Sequence, residues 1–162
     1  MYPETLEILT NPNPLLRRVS EEVTEEELQS PEFKNYLKKL FDIMLEKDGI
    51  GIASPQVGVA KRIALVSNNG KDHQFLINPE ITWVNKEETP LLEGCLSVPT
   101  IFGMVSRPKT VHIKARNENG EKIRIQASGY LAKVIQHEID HLNGILFIDR
   151  AEQLENERGE IL

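Results

Sequence analysis

His137-Glu138-Ile139-Asp140-His141 sets two imidazoles four positions apart, with a carboxylate directly after the first. In a helix, residues at that spacing lie one turn apart, with Cβ atoms about 5–6 Å from each other, so both rings can reach one cation. The glutamate then stands where a base for metal-activated water is needed. On a wheel of about 100° per residue, Glu138 falls in the same arc as Leu131, Val134, Ile135 and Leu142, the arc a core would bury. A carboxylate on such a face is costly unless a strong partner meets it. A cation is such a partner, and the helix carries no arginine to replace one. Lys133, Gln136 and Asp140 project from the opposite side and are expected in solvent.

Two imidazoles leave a coordination shell incomplete. The further candidates are the lone cysteine, Cys95, the histidines at 73 and 112, or a distant carboxylate. His112 sits in an alternating strand pattern and His73 in a polar turn, so both are expected to be ordinary solvated residues. Cys95 lies in Leu91-Leu92-Glu93-Gly94-Cys95-Leu96-Ser97-Val98-Pro99, where Gly94 permits close backbone approach and apolar neighbours exclude water. Such a thiol is either inert core or a ligand. A closed structural site would need a fourth protein ligand, and no second cysteine exists to supply it.

The elements that must position these residues follow from periodicity. Thr24-Glu25-Glu26-Glu27 has the form of a short helix start. Ser30-Pro31 opens a longer helix near 31–47, with Phe33, Leu37, Leu40, Phe41 and Met44 at helical spacing and Gly49 expected as its stop. From Arg62 the period shortens to that of strands: Ile63–Val66, a turn at Asn68-Asn69-Gly70, Phe75–Ile77, and Ile81–Val84 after Pro79. Val111, Ile113 and Ala115 alternate with polar residues, as do Ile123, Ile125 and Ala127, and Asn117 to Gly120 joins the two runs as a hairpin. The helix with the histidines runs from about Ser128 to Leu142 and stops at Asn143-Gly144. Without repeated strand-helix-strand alternation, the class is α+β, with antiparallel sheets wrapped around a central helix carrying the His-Glu-x-x-His pattern.

The chain's 162 residues, 40% hydrophobic and 27% charged, are enough for one core, so residues 1–162 are expected to form a single domain. A net charge of −6 with no long basic run disfavours nucleic acid and anionic lipid as partners. No apolar stretch reaches the roughly 20 residues that span a bilayer. Its lone cysteine, with no signal-peptide pattern at the start, leads to the expectation of a cytoplasmic protein. The last residues, Ala151 to Leu162, are glutamate-rich and are expected to form a frayed helix or a mobile tail.

Three segments in order, Gly49-Ile50-Gly51-Ile52-Ala53-Ser54-Pro55-Gln56, Glu93-Gly94-Cys95-Leu96-Ser97 and Gln136-His137-Glu138-Ile139-Asp140-His141, resemble the motifs of peptide deformylases. That family removes the N-formyl group from new bacterial-type polypeptides. The resemblance implies that Cys95, His137 and His141 bind one metal ion, commonly ferrous iron, with zinc, nickel or cobalt able to replace it. It implies that Glu138 moves the proton, and that the Gln56 side chain and the Leu96 N–H serve the oxyanion. Gly51 would present its backbone to an extended substrate, and Ile50, Tyr130 and Val134 would line an apolar pocket for the formyl-methionine side chain. N-formyl-methionyl peptides and nascent chains are the implied substrates, and any meeting with the ribosome would not run through a basic tail. Two departures stand out: Ser54, where alanine is usual and whose hydroxyl needs a partner, and Lys133, where an apolar residue is common. The alternatives are a zincin-type endopeptidase, which shares His-Glu-x-x-His, and a non-catalytic relative that binds formylated peptides.

Overall fold

The computed structural model describes residues Met1–Leu162 and divides them between two antiparallel sheets and three α-helices. The first helix, α1 (Glu25–Gln29), is started by a capping box in which Thr24 and Glu27 satisfy each other's backbone N–H groups. In α2 (Pro31–Glu46), the Ser30 side chain accepts from Phe33 N, and Pro31 takes the first turn, where no N–H partner is needed. The stop differs from expectation. Asp48, not Gly49, turns left-handed (φ 52°), while Gly49 N donates to Met44 O (2.9 Å) and a Cβ there would press within 3.2 Å of Met44 Cγ.

The larger sheet has the order β1-β2-β3-β6-β7, formed by Gly51–Ala53, Ile63–Asn68, Asp72–Val84, Thr110–Arg116 and Lys122–Ser128. Strand β2 is buried on both faces because alternate residues serve two cores. Ile63 and Leu65 join Ile52 and Ile77 under Phe33, Tyr36, Leu40 and Met44 of α2. Ala64 and Val66 join Leu76, Val111, Ile113 and Ala127 under Ala132, Val134, Ile135, Ile139 and Leu142 of α3 (Gly129–Leu142). The larger sheet thus lies between α2 and α3. Phe75–Ile77 and Ile81–Val84, expected as separate strands, are one long strand whose register shifts twice beyond Ile77. Left-handed Asn78 (φ 50°) lies in the first of these shifts and is tied to Val23 N (2.8 Å) and Val23 O (2.9 Å) by its side chain.

The second sheet, β4-β5-β8, covers the other side of α3 and went unread in the sequence. Strands β4 (Glu88–Cys95) and β5 (Val98–Pro108) form a hairpin whose prolines and glycines mimic a loop, and β8 (Leu154–Asn156) pairs with Ile101–Gly103. Within the tail, Leu154–Asn156 forms this short strand. A Cβ on Gly103 would lie 2.7 Å from that of Ala151, so the glycine permits this close packing. No helix is long and apolar enough to cross a membrane.

With a sheet on each side, α3 is buried nearly all round. Lys133, Gln136 and Asp140, expected in solvent, are only 5%, 7% and 7% exposed. The wheel located their face correctly, but the β4–β5 hairpin occupies the space assigned to water.

Candidate active site

Cys95, at the end of β4, and His137 and His141, on α3, bring their ligand atoms within 4.8 Å of one another. Cys95 Sγ stands 3.3 Å from His141 Nε2. The Nδ1 of His137 donates to Glu93 Oε2 (2.9 Å), which turns its Nε2 toward the cluster and orients the ring, as carboxylates commonly do behind metal-binding histidines. Glu93 is itself gripped by Arg107 through Nε to Oε1 (2.5 Å) and Nη2 to Oε2 (3.0 Å). The remaining nitrogen of Arg107 donates to Asp140 (2.8 Å), and Arg150 grips the same carboxylate at 2.7 and 2.9 Å. His73 packs edge-on against Phe41 and His112 lies against Trp83, and neither joins the cluster.

Glu138 lies one residue beyond His137 and is 3% exposed, and its Oε2 is buried with no hydrogen-bond partner. Arg107 neutralises Glu93 and Asp140 but does not pair with Glu138. A Cβ on Gly51 would come within 2.5 Å of Glu138 Oε1, so only glycine lets β1 pass this carboxylate. Gly94 serves a similar purpose for a different neighbour: the ring of Phe102, 2.8 Å from a Cβ built there, fills the space. Gln56 is buried in a 3-10 turn after β1. Its Oε1 accepts from Ala53 N (2.8 Å), which fixes the amide so that Nε2 faces Ser97 Oγ (3.2 Å) and Cys95 Sγ (3.5 Å). Ser54 finds its partner in Tyr36, whose hydroxyl donates to it at 2.7 Å.

The electrostatics favour positive charge on His137 and disfavour it on His141. Burial alone would raise the Glu93 carboxyl, but hydrogen bonds from His137 and Arg107 hold it down at about 2. Burial alone would lower His137, yet its contacts with Cys95 and Glu93 raise it to about 10. Burial, first of all, lifts Glu138 to about 7, and it drives His141 well below its ordinary value. A bound cation would compete for this place with the proton on His137. One thiolate and two imidazoles suit a borderline transition metal, and the unpartnered Glu138 oxygen beside them fits a metal with a reacting water.

These residues border one cavity of about 380 Å³, at the small end of ligand sites (about 300–1,000 Å³). Ile50, Gly51, Gln56, Cys95, Leu96, Tyr130, Val134, His137 and Glu138 all line it, and His141 lies buried behind. Leu91, Leu92, Val98, Ile101 and Phe102 complete its apolar wall. These wall residues, Arg107, and any role for Glu93 were missed in the sequence. Period-two spacing of Leu91, Glu93 and Cys95 was the available signal, since it places the acid beside the thiol once β4 is read as a strand.

A His-Glu-x-x-His helix completed by a cysteine beside one cavity defines a single-metal hydrolase, distinct by that cysteine from the zincin alternative. The polypeptide deformylase family model matches residues 5–157. A peptide deformylase of Natranaerobius thermophilus is 44% identical over 147 residues, covering 91% of this chain and 92% of that one. One from Leptospira biflexa is 40% identical over 153 residues, covering 88% and 86%. The crystal structure of the Thermotoga maritima peptide deformylase is similar with a TM-score of 0.86 at 36% identity, over 93% of this chain and 99% of that one. An actinonin-bound class I type b enzyme from Acinetobacter baumannii gives 0.86 at 36% identity, over 91% and 99%. The chain belongs to the polypeptide deformylase family, metal-dependent hydrolases that remove N-formyl groups.

Proposed function

We propose that Glu138 is the proton carrier of deformylation on N-formyl-methionyl peptides, with Cys95, His137 and His141 holding ferrous iron. The observation that carries this reading is the buried, unpartnered Oε2 of Glu138 beside the three ligand residues. A divalent metal held there supplies a Lewis acid for the formyl oxygen and acidifies the attacking water. Glu138 takes a proton from that water as the new C–O bond forms. It returns the proton to the amine nitrogen as the C–N bond breaks, leaving formate and a free N-terminus. A carboxyl raised to about 7 suits both transfers near neutral pH. Gln56 Nε2, fixed by Ala53, and the Leu96 N–H are the donors for the oxyanion.

Gly51 and Ile50 lie on the free edge of the larger sheet, where an extended substrate can add as a strand. Tyr130 and Val134 receive its methionine side chain together with Leu91 and Leu92. Nascent chains in the cytoplasm are the substrates in this reading. The tail's Glu152, Glu155, Glu157 and Glu160 against Arg158 make it unsuited to ribosomal RNA, so substrate is met by diffusion or through another surface. The test is anaerobic purification with metal analysis, followed by formate release from formyl-Met peptides. One iron per chain with turnover is expected, and a chain that carries iron yet releases no formate would favour the non-catalytic relative.

A further inference from the structure

Lys133 is the one lysine or arginine that lines the catalytic cavity, and it is 5% exposed. Burying an ammonium is costly, and a leucine or methionine would complete an apolar wall more cheaply. Its Nζ donates to the Thr89 carbonyl on β4 and to the Arg107 carbonyl on β5 (2.9 Å). Thr89 and Arg107 are register partners, so one side chain grips both strands of the hairpin at the same level. The other polar contacts across this interface are placed differently. Gln136 donates to Pro108 O (3.0 Å) and Asp140 receives Arg107, so both reach β5 only, and His137 meets Glu93 deeper in the site.

Cavity walls lie on both sides of this tie. Tyr130 and Val134 belong to α3, while Leu91 and Leu92 follow Thr89 on β4, an edge strand with β5 as its sole neighbour. With no strand on its outer side, β4 depends on such contacts for its height above the helix. We propose that Lys133 is a positioning residue that sets the distance between these two walls and so the side-chain selectivity of deformylation. This rests on the reading that the cavity receives the residue bearing the formyl group.

The experiment compares kcat/KM for formyl-Met, formyl-Ala and formyl-Phe peptides of otherwise identical sequence, in iron-loaded enzyme well below its Tm. Lys133→Met keeps the stem and removes the donors. It should lower the preference for formyl-Met about tenfold, the scale of a misfitted apolar pocket, through KM more than kcat. Lys133→Arg, which can still bond two carbonyls, should restore the preference to within about threefold. A Lys133→Met enzyme with a lower Tm and an unchanged preference would make the residue a stabilising contact only and overturn the proposal. Should that variant not fold, Lys133→Gln, a shorter donor, takes its place; an intermediate preference supports the proposal and a wild-type one overturns it. Wild-type enzyme that releases no formate in the same assay would instead overturn the reading of the site.

Discussion

Helix α3 has two polar faces, both buried, and they have opposite fates. On one, Lys133, Gln136 and Asp140 meet two carbonyls, a third carbonyl and two arginines. On the other, His137 is oriented by Glu93, while Glu138 keeps an oxygen with no partner among the protein's own groups. Polar groups that are satisfied hold the helix against the hairpin that carries Cys95. In the proposed function the face left incomplete carries the reactivity, because a buried oxygen without a donor retains the affinity for a proton that hydrogen bonds would otherwise absorb. Burial of polar residues is thus no mark of function by itself. Completeness of their pairing separates the two faces.

Substitutions on the two faces should separate accordingly, the largest effect being at Glu138. Glu138→Gln should keep its metal and lose about 10²–10⁴ in kcat, the range of a single proton carrier, without any fall in Tm, since an amide replaces a carboxylate whose Oε2 no protein group hydrogen-bonds. Metal analysis with formate release checks this, and a large drop in Tm would erase the distinction between the faces. Arg107→Met, on the satisfied side, should instead cost about 3 kcal/mol in urea unfolding by stranding Glu93. That is the lower end for a broken buried pair, because Asp140 retains Arg150 and Glu93 retains His137. Gln56→Ala should cut kcat about 10²–10³-fold with KM little changed, as removal of one oxyanion donor does. A change confined to KM would move Gln56 from the chemistry to substrate binding.

The smallest effect lies outside α3. Burial would raise the half-buried Glu27, but its hydrogen bonds with Thr24 and Lys61 outweigh this and lower it below its ordinary value of 4.5. A carboxylate lowered on folding stabilises above its unfolded value, and that contribution fades as pH falls through the folded one. Wild type should therefore exceed Glu27→Gln in Tm at pH 6, by less than about 1 kcal/mol in stability. The gap should close toward pH 3 in paired thermal melts.

The candidate metal-binding histidines were legible in the sequence because their signals are local. The four-residue spacing of His137 and His141, the carboxylate on an apolar arc and the Ser30-Pro31 helix start depend only on helix geometry and capping, which short segments carry within themselves. The lone thiol needed the family resemblance to become a candidate ligand. What tertiary structure alone decided was the second sheet and everything it covers. Pro90, Gly94, Pro99 and Gly103 break the pattern by which strands are read, yet β4 and β5 form because they pair with each other, with β8 and against α3. The polar stripe of Lys133, Gln136 and Asp140 carries the same period whether water or a hairpin faces it. Periodicity reports which residues share a side, and only the packed chain determines what stands opposite.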